Sequence, residues 1–366
     1  MRMRAAAKLE SNGLILKIFQ RSLRLKNERC LNAVRSLEVF FGSTLLKELA
    51  PNFSGLSAVE KEHVRKELAF QVGKTDGIIM DGHYSFGDDV VFTEADGQLY
   101  DVILYLYVDP AIIAERMSAS ARNKKYLKYD IEKWQRFELE SLREYCHKNN
   151  KDFYVIDNPT TGCFSDISMV LEFIDAIVAG YSCVQYAKNV TDHITKADVI
   201  SLIDGDRTFI KEDSSALLGY KTQLFDGNFY SGFQAWRHHH ELANYLKSID
   251  YAAESMESVK FTVNKKVQSR IEGYPVILTT GHYDSWKQIA GIYSIPFFFG
   301  AQMCSDTKYF ITRFLQERGS KVVAFGDSMN DYFMLKQADV SYLITKMDGT
   351  VSSSLIQRNL EEFTLV

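Results

Sequence analysis

The sequence predicts an α/β protein of two domains, each a parallel sheet flanked by helices, the C-terminal one Rossmann-like and carrying a small helical cap. Three observations carry that prediction. At 366 residues the chain exceeds what one core usually supports. Short apolar runs alternate with helix-periodic stretches, the pattern of strands joined by crossover helices. Two carboxylate-bearing turns, Asp204-Gly205-Asp206-Arg207-Thr208 and Gly326-Asp327-Ser328-Met329-Asn330-Asp331, each close an apolar run. That places charged groups at strand ends, where open α/β sheets bind ligands.

In the first half, residues 76–83 and 102–108 are apolar enough to be buried strands, and 153–157 forms a third. Helical spacing predicts helices over 56–72, 110–121, 130–148 and 165–180. The run Leu14-Ile15-Leu16 is broken by Lys17 and lacks a signal-peptide layout, and residues 1–10 hold no strand-like run. A boundary is expected near residue 185, within the mixed polar stretch 182–195, giving domains 1–185 and 186–366.

The second half opens on the strand Val199-Ile200-Ser201-Leu202-Ile203. The segment that follows is too long for a turn and carries helical patterns over 235–246 and 252–267, so a cap is expected at about 211–273. Pro275-Val276-Ile277-Leu278-Thr279-Thr280 is a further strand. Tyr309 to Leu315 is helical, and Val322-Val323-Ala324-Phe325 leads into the second acidic turn.

Composition narrows the function. With 46% hydrophobic and 25% charged residues and a net charge of −4, the chain reads as an ordinary globular protein. No basic stripe with interleaved aromatics favours nucleic acid. The longest apolar stretches fall well short of a membrane span. Five scattered cysteines, with no close pair in sequence, argue against a disulfide framework or zinc site and fit a reducing cytoplasm.

The acidic turns carry chemistry. Carboxylates two residues apart in an extended segment face the same side, so Asp204 and Asp206 can address one phosphorus atom. Their repulsion is relieved by a hard cation such as Mg²⁺, which would also explain the distant Asp327. One carboxylate can then attack while its neighbour moves protons.

These motifs resemble the Asp-x-Asp-x-Thr and Gly-Asp-Ser-x-x-Asp signatures of the haloacid dehalogenase (HAD) superfamily, in its phosphoserine-phosphatase-like branch, over roughly the second half of the chain. The resemblance implies Asp204 as the nucleophile that forms an aspartyl-phosphate and Asp206 as the acid and base. It implies Mg²⁺ held by Asp204, Asp327 and the backbone carbonyl of Asp206. The phosphate-holding hydroxyl falls on Thr280, which a glycine follows, with Thr279 as the alternative. Lys308 suits the lysine that neutralises phosphate and nucleophile, whereas Lys321 precedes its strand and belongs at the opposite end. Asn330 and Asp331 would orient Lys308 and the metal's water shell. Within the cap, three consecutive histidines on a helix face different directions and make a poor metal cage. Arg237 is the candidate substrate contact there, and His282 either lines the pocket or fills a helix start.

The first half resembles adenylate-kinase-like P-loop kinases through Ile79-Met80-Asp81-Gly82-His83, Tyr107-Val108-Asp109-Pro110 with Glu115-Arg116, and Arg122 in a basic segment. It departs where phosphates are held. The only Gly-Lys-Thr, Gly73-Lys74-Thr75, follows a helix and precedes a strand, and Leu68 replaces the leading glycine. The first strand and loop of such a kinase are therefore expected to be truncated or degenerate, without kinase activity. The function expected is a Mg²⁺-dependent phosphomonoester hydrolase acting on a small phosphorylated metabolite. The alternatives are a polynucleotide end-processing phosphatase of a kinase–phosphatase pair, and a non-catalytic nucleotide-binding or regulatory protein.

Overall fold

The computed structural model describes residues 15–18, 38–74, 78–121, 123–156, 167–222, 224, 230–252 and 260–366. The chain divides into two compact units, Met1–Tyr181 and Ser182–Val366.

In the first unit the strands are β1 (Ile15–Ile18), β2 (Glu38–Phe41), β3 (Ile78–Gly82), a two-residue ribbon β4 (Ser85–Phe86) and β5 (Asp89–Val90), β6 (Val102–Leu106) and β7 (Asp152–Ile156). The main sheet has the order β2-β3-β1-β6-β7. Its outer pairs, β2 with β3 and β6 with β7, are parallel. The central β1 runs antiparallel to both neighbours, so this sheet is mixed rather than parallel. The apolar period that marks a strand carries no information on its direction, and the sequence Ile15-Leu16-Lys17-Ile18 is short and interrupted by a lysine. The helices are α1 (Gly42–Leu49), α2 (Ala58–Val72), α3 (Glu94–Leu99), α4 (Pro110–Ala119), α5 (Ile131–Lys148) and α6 (Ile167–Val178). Their starts follow from local chemistry. Ser57 and Glu60 form a capping box on α2, and Asp109 caps α4 with proline at its first position. Strands β6 and β7 are buried along their whole length, as continuous apolar runs require.

The second unit contains α7 (Cys183–His193), β8 (Val199–Asp204), α8 (Gly232–Ser248), α9 (Lys265–Gln268), β9 (Tyr274–Thr279), α10 (Tyr283–Tyr293), β10 (Phe297–Phe299), α11 (Ser305–Glu317), β11 (Lys321–Gly326), α12 (Tyr332–Gln337), β12 (Val340–Leu343) and β13 (Thr364–Leu365). The sheet order is β10-β9-β8-β11-β12-β13, and every neighbouring pair is parallel. The chain winds outward from β8 one way through β9 and β10 and the other way through β11 to β13. The carboxyl ends of β8 and β11 therefore lie side by side at the point where the winding reverses, the place such sheets bind ligands. Ile203, Ile277, Trp286, Val323 and Phe325 pack the core beneath that edge.

Between β8 and β9, the expected helix over 235–246 is the centre of α8. The helix expected over 252–267 is not continuous. Residues 253–259 lie outside the described residues, and 261–264 are extended. There Val263 bridges Ile210, Lys211 N donates to the Thr262 carbonyl at 2.9 Å, and Asn264 N to the Phe209 carbonyl at 2.8 Å. Phe261 and Val263 alternate with polar neighbours, a strand-like period, and only after Asn264 caps the backbone does the short α9 begin.

Cysteines remote in sequence meet in space. Cys183, opening α7, and Cys304, ahead of α11, are buried with their sulfurs 3.5 Å apart, so the absence of a sequence pair did not mean the absence of a spatial one. No single helix among the described residues is long and apolar enough to cross a membrane.

Candidate active site

Strand β8 delivers Asp204 to the sheet edge, and the chain then turns sharply. Gly205 is required by close approach: a Cβ there would lie 2.5 Å from the Trp286 ring and 2.7 Å from Thr279 Oγ1. Arg207 adopts the left-handed region at φ +60°, a conformation that costs a non-glycine residue about 1 kcal/mol or more. The turn closes through Arg207 N to the Glu212 carbonyl at 2.9 Å, and the Arg207 guanidinium reaches Asp213 at 2.9 Å. Both Asp204 and Asp206 have extended backbones, so each addresses the same cavity.

The two carboxylates are held differently. Asp206 accepts from Ser214 N at 3.1 Å, Ser214 Oγ at 2.9 Å and Trp286 Nε1 at 3.2 Å. Asp204 instead takes the ammonium of Lys308, 2.5 Å away on α11. The same fully buried ammonium donates to Asp331 Oδ1 at 2.7 Å. The other Asp331 oxygen accepts from Asp327 N at 3.0 Å and Ser328 N at 3.3 Å, which fixes the second acidic turn.

Electrostatics follow from crowding. Burial, then the neighbouring Asp331, pushes Asp204 up to about 7 against the pull of Lys308. Burial, then Asp213 and Asp204, pushes Asp206 up to about 8 despite Ser214. Burial and the charges of Asp331 and Asp204 raise Asp327 well above the usual carboxylate range. Burial alone would lower Lys308, but Asp204 and Asp331 outweigh it and raise its pKa.

One ammonium among these carboxylates leaves negative charge uncompensated. Asp204, Asp327 and Asp331 each offer an oxygen within 4.8 Å of the others, a set that can hold a metal ion. Asn330 Oδ1, at the cavity wall, is buried without a hydrogen-bond donor among the described residues. An all-oxygen set with excess negative charge fits a hard divalent cation. The side chain of Asp206 faces Ser214 and Trp286 rather than this set.

The cavity is about 470 Å³. Thr279 and Thr280 both line it. Thr279 is nearly fully buried and its Oγ1 accepts from Gly281 N at 3.0 Å, while Thr280 is half-buried. Arg237, read as a substrate contact, is not on the wall; it pairs with Glu241 at 2.6 Å along α8. One residue on, about 100° around the helix, His238 faces the cavity instead. His239 and His240 lie against Phe299 and Trp236, so the three rings do diverge. His282 fills the helix start: it caps α10, its Nδ1 meeting Ser285 Oγ at 2.9 Å, and does not line the cavity.

Several wall or supporting residues escaped the sequence reading. Ser214 and Trp286, which hold Asp206, give no local signal. Tyr230 and His238 come from the inserted segment. Lys346, Ser352 and Ser353 sit in the loop after β12, and loops that follow parallel strands open on this same edge, a usable signal. In the first unit, Gly73 caps α2 and Lys74 lies 3.8 Å over the Phe70 ring. Arg116 is half-buried on α4, and Arg122 lies outside the described residues.

No curated protein and no solved structure matches this chain. Residues 307–353 match a family model described as haloacid dehalogenase-like hydrolase. Over the stretch that carries Lys308, Asp327, Asn330 and Asp331, the chain is thus similar to HAD-like hydrolases, which supports a hydrolase built on an α/β, Rossmann-like sheet.

Proposed function

We propose that the second unit is a Mg²⁺-dependent phosphomonoester hydrolase that acts on a small phosphorylated metabolite through an aspartyl-phosphate. The observation that carries this reading is the pairing of roles at one strand end: Asp204 tied to Lys308, and Asp206 held apart by Ser214 and Trp286, both facing one cavity.

The steps balance as follows. An Asp204 oxygen attacks phosphorus, and the bond from phosphorus to the ester oxygen breaks. Asp206, which keeps its proton near neutral pH, gives it to that departing oxygen. Asp206, now a carboxylate, takes a proton from water, whose oxygen attacks the phosphoryl group and returns Asp204 free with inorganic phosphate. Lys308 holds the nucleophile and offsets charge, and on this reading Thr280, which lines the cavity, donates to a phosphoryl oxygen. Asp204 and Asp327 would hold Mg²⁺, together with the Asp206 carbonyl. When bound, the ion supplies the positive charge that keeps Asp204 ionised beside a phosphate.

A cavity of about 470 Å³ suits a small molecule, and the residues inserted between β8 and β9 act on this reading as a cap that limits substrate size. On the same reading the first unit is a kinase-like module without a phosphate-cradling loop, so it binds ATP weakly or not at all. The test is turnover of a panel of phosphorylated metabolites and 3′-phosphorylated oligonucleotides, with Mg²⁺ and with excess chelator. Metabolite turnover that needs Mg²⁺ supports the proposal. Turnover of the oligonucleotides alone would make the protein an end-processing phosphatase, and full activity in chelator would remove the metal.

A further inference from the structure

The cavity carries charge of opposite sign at two depths. Its floor is acidic, with Asp204 buried and Asp327 half-buried. Three cations also line the wall, Arg207, Lys221 and Lys346, and all three are exposed, so they stand where the cavity opens to solvent. Arg207 is committed to Asp213 at 2.9 Å. Lys221 and Lys346 form no ion pair among the described residues. Asp348, the carboxylate nearest Lys346 in sequence, is taken by Thr350 N at 2.9 Å and Thr350 Oγ1 at 2.7 Å.

The two lysines come from separate segments, and each segment is tethered to one of the acidic turns. Lys346 N donates to the Thr350 carbonyl at 2.8 Å in the loop after β12, and Ser354 Oγ of that loop accepts from Met329 N, in the second acidic turn, at 3.1 Å. Lys221 follows Tyr220, whose N donates to the Ser215 carbonyl at 3.3 Å and whose hydroxyl donates to Glu241 on α8 at 3.2 Å. Ser215 N in turn donates to Asp213, the carboxylate that holds Arg207 in the first turn, at 3.0 Å. A single unpaired surface lysine is ordinary, because water solvates an ammonium well. Here two are anchored on the wall of one cavity, above a floor that already takes a phosphoryl group on the proposed function. A volume of about 470 Å³ is that of a site for a small molecule rather than for a phosphoryl group alone.

We propose that Lys221 and Lys346 form a cationic rim that binds a second anionic group, a carboxylate or a further phosphate, at the far end of the substrate. This rests on the phosphatase reading above, and it narrows the substrate to a small phosphomonoester that carries another negative charge. Such a molecule meets repulsion from the acidic wall as it enters, and two ammonium groups at the mouth reverse the sign it meets first. Ammonium groups that only offset the floor would help every phosphomonoester equally, whereas a rim for a second anion helps only substrates that bear one.

That difference is the test. Hydrolysis of p-nitrophenyl phosphate in excess Mg²⁺ is inhibited with alkylphosphonates that share one phosphonate head, carry spacers of increasing length, and end in methyl, carboxylate or a second phosphonate. Inhibition constants are measured for the full chain and for Lys221→Gln, Lys346→Gln, the double Gln variant and the double Arg variant. The expected result is that, at the spacer that fits, an anionic end tightens inhibition about tenfold over methyl, that each single Gln variant gives up about threefold of this preference, and that the double Gln variant abolishes it while the double Arg variant keeps it. Added salt should shrink the preference in the wild type. Stronger inhibition by the carboxylate or by the second phosphonate tells which anion the rim takes. Equal inhibition by all three ends at every spacer, a preference that the double Gln variant retains, or a double Gln variant that weakens the methyl-ended compounds as much as the anionic ones would each overturn the rim. A wild type that does not hydrolyse p-nitrophenyl phosphate overturns the phosphatase reading and the rim with it. An active wild type without a preference overturns only the rim.

Discussion

Each unit buries acidic side chains, and the two solve the problem in opposite ways. In the first, Glu138 on α5 is raised by burial, yet its oxygens accept from Ser85 N at 3.1 Å, Ser85 Oγ at 2.8 Å, Trp134 Nε1 at 3.1 Å and Tyr105 Oη at 2.9 Å. Neutral donors saturate it. In the second, Asp204, Asp206 and Asp327 are raised by burial and then by neighbouring carboxylates, Asp331 beside Asp204 and Asp327 and Asp213 beside Asp206, next to an open cavity, and Lys308 bonds only Asp204 of the three. The shared upward shift shows that burial alone does not identify a reactive carboxylate. What distinguishes the Asp204 cluster is unrelieved charge next to space for a ligand.

Exchanging acid for amide at both places gives the largest contrast. Asp204→Asn should lower turnover on the order of 10⁴-fold or more, the scale seen when a nucleophile is removed, and abolish any phosphate adduct in acid-quenched mass spectra. Glu138→Gln should leave kcat and KM unchanged. A loss of activity in the Glu138 variant equal to that of Asp204→Asn would break the distinction between saturated and reactive carboxylates.

Within the cluster the contrast sharpens further. Asp206→Asn should cost roughly 10²–10⁴-fold with poor leaving groups and much less with p-nitrophenolate, whose departure needs little protonation. A phosphate adduct should still form on Asp204. Equal losses for good and poor leaving groups, or an adduct on Asp206, would remove its role as the acid.

Stability should respond in the reverse order. Glu138→Ala strands the Ser85 and Tyr105 donors in a buried setting, while Trp134 Nε1 keeps Ser85 Oγ at 2.7 Å, and should cost roughly 3 kcal/mol by denaturant titration. Asp206→Asn keeps an acceptor for Ser214 and relieves repulsion, so the metal-free protein should lose little stability or gain some. A neutral Glu138→Ala would mean that its hydrogen bonds are not holding the unit together.

The acidic turns were legible because their chemistry is local: Asp204 and Asp206 sit two apart at the end of one apolar run, and Asp327 to Asp331 at the end of another. The lysine was legible from its place ahead of a helical pattern, and α11 brings it to Asp204. Residues that depend on tertiary approach were not. Ser214 meets Asp206 through a turn that no period announces, and Trp286 reads as a core side chain, which it also is. Arg237 and His238 differ by one helical step, a distinction below what a periodic pattern resolves. The antiparallel course of β1 escaped for another reason, since strand direction is set by connections rather than by residue type.

The smallest effect is the pH dependence of the metal-free protein, and its sign separates the two kinds of burial. Asp204 and Asp206 titrate near 4 when unfolded and at about 7 and about 8 when folded, so between those limits the folded state binds more protons. The slope of unfolding free energy with pH is then negative, and stability present below about pH 4 is lost as pH rises through 7 and 8. Each full proton of difference contributes about 1.4 kcal/mol per pH unit, and coupling through Lys308 spreads the change over a broader range. Binding of Mg²⁺ favours the ionised carboxylates, so it should release protons and stabilise more at pH 8 than at pH 6. Melting curves from pH 5 to 8.5 in chelator and in saturating Mg²⁺ test this. A fall with pH in chelator that flattens in Mg²⁺, and that shrinks in Asp206→Asn but survives in Glu138→Gln, assigns the slope to the cluster. A slope that Glu138→Gln removes, or that Mg²⁺ leaves untouched, would place the stored charge elsewhere.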